Sequence, residues 1–210
     1  MIPTISAFVV LTILQPMGTG HSGWVIFSSH GVTQSGVPWL LGRGTESWPL
    51  FTANILVTCI FYSLINAIPA AGEEFAGHGF LQYLFTQRFG MIKGIAGLGL
   101  IWSMRHPPAQ LAAYNFPEHP FLGSFILSPI ELISDSFFLG WLTFKSRSFI
   151  PAAIAHGAGN SIQEEIIGNI HLNAPVLSLQ LVRFIITAMF GFLFLWMSKR
   201  STIQNRPYIK

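Results

Sequence analysis

Four short stretches set ionisable or hydrogen-bonding side chains inside otherwise apolar sequence, and their spacing decides what chemistry they can share. They are Gly72-Glu73-Glu74-Phe75-Ala76-Gly77-His78-Gly79, Trp102-Ser103-Met104-Arg105-His106, Glu131 with Asp135, and His156-Gly157-Ala158-Gly159-Asn160. Glu74 and His78 lie four apart, as do Trp102 and His106, and His156 and Asn160, so each pair is expected on one face of its helix. Glu73 and Glu74 differ by about 100° of rotation. Only one of them can face a given site, while the other serves a neighbouring helix or tunes the first. Carboxylates beside imidazoles suit general acid–base work on water. Glu73, His106 and His156 equally fit a two-histidine, one-carboxylate metal site, with zinc as the ion. A third reading is a buried hydrogen-bond network that only ties helices together. Thiol or serine chemistry has little support. The single cysteine, Cys59, falls more than three helical turns before the glutamate pair, no serine sits in a nucleophile elbow, and neither CxxC nor HExxH occurs.

The elements that must position these groups are membrane helices. Of the 210 residues 51% are hydrophobic and only 9% charged, against roughly a quarter charged in a soluble domain. The mean hydropathy is +0.54. So few charges cannot clothe a water-soluble surface, and lipid has to be the outer solvent. From Ser47 to Gly72 there is no charge at all. Further spans are expected near 93–113, 121–143, 149–166 and 176–198, and the apolar residues 1–17 read as a short first span. They lack the basic start and cleavage site of a secretory signal, and the abrupt beginning also fits upstream helices outside this sequence. The fold class is therefore all-α, a polytopic bundle of about six spans forming one integral membrane domain over 1–210. Its Gly-, Ser- and His-rich segment 18–46 is expected as a loop outside the membrane, and residues 199–210 as a polar tail.

Charge gives an orientation. Arg88, Lys93, Lys145, Arg147, Lys199, Arg200, Arg206 and Lys210, eight of the eleven Lys and Arg, fall on one side of an alternating six-helix arrangement. That side is expected to be cytoplasmic, with both termini on it and the cell membrane as the location. The net charge of +3 is spread in ones and twos at the ends of apolar runs, which suits membrane anchoring and not nucleic acid. Ala153 with Gly157, and Ala155 with Gly159, have the four-residue spacing that lets helices approach closely in lipid; Gly94, Gly97 and Gly99 are candidates for the same role. Glu131 and Asp135 read as a structural network with Arg183. Arg105 reads as snorkelling to the interface in preference to holding a substrate carboxylate. His21, His30, His119 and His171 are expected in solvated loops.

Three of these motifs, on separate spans and in order, resemble the CAAX-protease and bacteriocin-processing family of intramembrane glutamic endopeptidases. That family carries Glu-Glu-x-x-x-Arg, an aromatic-x-x-x-His and a late His-x-x-x-Asn. The matching positions here are Glu73-Glu74, Trp102 with His106, and His156 with Asn160, within a protease-like core of about 50–165. His78 stands where the family has arginine. The resemblance implies an intramembrane peptide hydrolase in which Glu73 activates water, His106 helps orient it, and His156 and Asn160 stabilise the oxyanion. Glu74 and His78 would support Glu73. It also implies no obligatory metal or other cofactor, zinc at Glu73, His106 and His156 being the alternative. The implied partners are the bilayer and a membrane-associated, prenylated or bacteriocin-like peptide or protein substrate, with no nucleic acid. A catalytically silent immunity or scaffold protein and a proton-coupled transporter are the competing functions.

Overall fold

The longest helix is built inside out. In the computed structural model, helix α1 (Trp48–Glu74) buries Asn54, Thr58 and Glu74, while Leu56, Ile60, Leu64 and Ile68, each four residues after the last, are exposed, Ile68 to 75%. A face of large aliphatics turned outward with polar groups turned inward suits hydrocarbon as the surrounding solvent. The structure describes residues 20–22, 25–27, 32–34, 44–112, 116, 119–165, 170–172, 185–186, 188–194 and 196–197.

Helix α1 starts on Ser47 with a proline in its first turn, where a missing N–H costs nothing. It runs without a break into a π-helical segment, Phe75–Leu81, and then α2 (Gln82–Phe89). Together they make a rod of roughly 60 Å, about twice the hydrocarbon thickness. Pro69 lies inside α1 and removes one rung of the ladder a turn before Glu73. Gly90, at φ 77, reverses the chain into α3 (Met91–Ser103). A short α4 (Pro107–Leu111) follows. Then come a single turn α5 (Pro120–Leu122), a second π segment (Gly123–Leu127), α6 (Ser128–Ser146) and α7 (Ile150–Glu165).

Two helical stretches, Leu56–Phe89 and Pro120–Ser146, are long and apolar enough to cross a membrane. The expected third span is shorter than 93–113 implies, because α3 ends at Ser103. Pro107 and Pro108 lack the N–H groups that would carry the ladder onward, and Arg105 and His106 lie in the intervening turn. The residues of 176–198 that are described, 185–186, 188–194 and 196–197, are helical. Phe194 packs on Phe138 and Trp141 of α6. The expected first span, 1–17, and the polar tail lie outside the described residues, as does Arg183. In the segment expected as a loop, strands β1 (Gly20–Ser22), β2 (Val25–Phe27), β3 (Val32–Gln34) and β4 (Gly44–Glu46) form instead. The last three make an antiparallel ribbon, and β1 pairs with β5 (Ile170–Leu172), with His21 opposite His171. These two histidines are thus on paired strands and not in loops.

Small residues set the helix spacing at Gly94, Gly99 and Gly157. A Cβ on Gly157 would lie 2.4 Å from the Ala67 nitrogen, one on Gly94 2.7 Å from the Phe85 backbone, and one on Gly99 2.6 Å from Ile133 Cα. Gly97 meets nothing, so it has no part in this. Beside Gly157, Asn66 of α1 donates to Ser161 Oγ of α7 at 2.9 Å, and Ser161 donates to the Gly157 carbonyl. We expect Gly157→Leu to force α1 and α7 apart and cost about 1–3 kcal/mol, read as a lower thermal midpoint of the purified protein in detergent.

Candidate active site

The two adjacent glutamates are divided between two environments. Glu74 is the last residue of α1 and only 2% exposed. An imidazole holds each of its carboxylate oxygens. His78 Nδ1 lies 2.5 Å from Oε2, and His156 Nδ1 of α7 lies 2.9 Å from Oε1. A carboxylate sunk this deep needs such partners, and here they join α1 to α7 beside the Gly157 contact. The four-residue spacing of Glu74 and His78 survives although the backbone between them is π-helical.

Glu73, rotated away, faces α3. Its Oε2 accepts from Trp102 Nε1 at 3.1 Å and from Arg105 Nη2 at 2.6 Å. This pair is half-exposed, 43% at Glu73 and 55% at Arg105. Arg105 thus reaches back across the turn after α3 to a carboxylate partner. Glu73, Glu74, His78, Leu98, Ile101 and Trp102 are among the residues lining a cavity of about 320 Å³, with Arg105 also on its wall. Gly72 and Gly77 line it too, and a Cβ on either would enter open space. These glycines leave the cavity wide instead of drawing helices together. Helix π segments recur at functional sites, and this one supplies Ala76, Gly77, His78 and Leu81 to the lining.

Trp102 is the hub. Its ring packs edge-on against His156 at 5.1 Å, His78 at 6.3 Å and His106 at 6.3 Å between centroids. His106 lies in the turn and not on the helix of Trp102, yet its Nδ1 is 3.0 Å from the Trp102 carbonyl oxygen. The structure thus gathers Glu73, Glu74, His78 and His156 around one tryptophan, with His106 attached through that residue; neither His106 nor His156 is among the residues that line the cavity. Asn160 is exposed on α7, one turn beyond His156. Among the described residues no three His, Cys, Asp or Glu side chains converge to hold a metal ion, so zinc on Glu73, His106 and His156 would require those side chains to move. Glu131 and Asp135, on α6, are half-buried, with Ser134 between them bonded to the Ile130 carbonyl. The residue that sequence reasoning undervalued is Arg105. The signal was present, since an arginine beside His106 in an apolar stretch has to find an anion.

The carboxylates should differ in what their loss does to the fold. Glu74→Ala leaves two imidazoles without their shared partner and is expected to destabilise by about 3–5 kcal/mol, as for a broken buried ion pair. Glu73→Gln loses only a half-exposed pair, worth about 0–1 kcal/mol. Thermal melts of the two variants in one detergent check the contrast.

Residues 39–162, more than half of the chain, match the family model described as type II CAAX prenyl endopeptidase Rce1-like. No curated protein and no solved structure matches. The chain belongs to this Rce1-like family of membrane-embedded proteases.

Proposed function

We propose that this family member hydrolyses a peptide bond of a membrane-associated substrate, prenylated or bacteriocin-like, with a water activated by Glu73. One observation carries the reading: of two adjacent carboxylates, Glu74 is buried and fully engaged by His78 and His156, while Glu73 lines the cavity with both of its bonds on Oε2. Glu73 Oε1 takes no protein partner among the described residues, which suits a group that must accept a proton from water.

The chemistry balances with protein groups alone. Water gives a proton to Glu73 as its oxygen adds to the scissile carbonyl carbon. The resulting oxyanion needs hydrogen-bond donors. His156 holds its Nδ1 against Glu74, so Nε2 is the nitrogen it would turn to the oxyanion. Asn160, a turn further along, would swing in as the second donor, and His106, tied to Trp102, would orient the water. When the carbon–nitrogen bond breaks, Glu73 returns the proton to the leaving amine. Glu74 and His78 anchor the helix that carries Glu73. The working location on this reading is the cell membrane, with both termini cytoplasmic and no metal in the reaction.

A silent immunity or scaffold role is the second reading, favoured by His78 in place of the motif's arginine and by the ion pair that occupies Glu73. The test is cleavage of quenched-fluorescent prenylated and leader-type peptides by purified protein, with and without chelator. We expect Glu73→Gln to lower the rate by roughly 10²–10⁴-fold and chelator to leave the wild-type rate unchanged. Loss of wild-type activity on chelation would move the reaction to a metal. Absence of cleavage both in wild type and in His78→Arg would favour the silent role.

A further inference from the structure

The mechanism just described leaves Arg105 without a task, although its guanidinium is the cationic group on the cavity wall that binds Glu73. A base held by a guanidinium and an indole N–H on the same oxygen is restrained in its pose. The restraint is weak in this setting. Both partners are about half-exposed, Arg105 stands in a turn, and a half-exposed ion pair is readily exchanged. The guanidinium has five N–H donors in a planar fork, and among the described residues it bonds only to Glu73, through Nη2. The fork is thus open to a carboxylate that can take it in the two-bond geometry. Next to it, Leu81, Leu98 and Ile101 give the cavity an apolar wall.

We propose that the Arg105–Glu73 ion pair is a latch, and that a substrate opens it by presenting a carboxylate to Arg105. The occupant is a short apolar peptide carrying one carboxylate, its side chains on the aliphatic wall and its charge on the guanidinium. Arg105 becomes a specificity-determining residue, and Glu73 is released to water only when such a peptide is bound. No covalent step is added. One carboxylate replaces another on the same cation, and the net charge of the pair is unchanged. The inference rests on the proposed function for its use, but its binding step stands apart from turnover.

Binding is therefore the readout. The probes are a dansylated apolar tripeptide with a free C-terminal carboxylate, its C-terminal amide, and that amide carrying one glutamate side chain. They are titrated against full-length wild type, Glu73→Gln, Arg105→Gln and Arg105→Lys in detergent, with cleavage of a longer peptide followed in parallel. The wild type should prefer the acid to the amide. Glu73→Gln, whose arginine has lost its competitor, should bind the acid about five-fold more tightly, the effect of releasing one exposed ion pair, with the amide unchanged. Arg105→Gln should bind acid and amide alike, while Arg105→Lys keeps part of the preference. The glutamate-bearing amide distinguishes a chain terminus from a side chain as the source of the charge. An acid preference that survives Arg105→Gln, or no gain for the acid in Glu73→Gln, overturns the latch. Cleavage that persists in Glu73→Gln overturns Glu73 as the base and leaves the binding comparison readable.

Discussion

A carboxylate at 2% exposure inside a bundle whose outer face is aliphatic is the constraint on which this architecture turns. Glu74 cannot be left without partners there, and water cannot supply them freely. Two imidazoles do so, one from its own helix and one from α7. Because the second comes from a distant part of the chain, satisfying Glu74 also fixes the rotation and depth of α7 against α1. The contact of Gly157 with the Asn66–Ala67 backbone brings those helices close enough for His156 to reach. Packing and polar satisfaction coincide at this place, the close approach and the hydrogen bond joining the same two helices.

From that anchor the division of labour between the glutamates follows by helical rotation alone. With Glu74 turned to α7, Glu73 is carried round to α3, where the cavity, Trp102 and Arg105 are. A position chosen for burial and one chosen for exposure to a cavity can then be neighbours in sequence without competing. The π-helical turn after them widens the backbone spacing just where His78 joins the pair. Trp102 couples the halves, since its indole N–H holds one glutamate while its ring lies against the histidines of the other.

Much of this was legible in the sequence because it rests on local periodicity. The four-residue spacings of Glu74 with His78 and Ala153 with Gly157, the about 100° offset of the glutamates, and the absence of charge from Ser47 to Gly72 each translate into a face or a span by geometry alone. The convergence of three motifs was legible only through the family they resemble. What the sequence hid depended on where helices stop and what side chains prefer once there. The third apolar run looks continuous to residue 113, yet Pro107 and Pro108 leave Arg105 and His106 in a turn. The partner of an exposed arginine is not written in its neighbours, and here it is a glutamate 32 residues earlier. The pairing of β1 with β5 joins segments about 150 residues apart, and no local pattern of period two announces such short strands.

The brevity of α3 has a consequence for how the protein is made. Its 13 residues cover about 20 Å, short of the roughly 30 Å of hydrocarbon, so α3 alone is too short to span it. It is joined to α2 by the tight reversal at Gly90 and lies against it through Gly94, so the two form a helical hairpin. His156 leaves the ribosome later still. The cavity lining, drawn from α1, the π segment, α3 and the turn after it, thus precedes α7 in the chain, and the second imidazole on Glu74 arrives only when α7 docks.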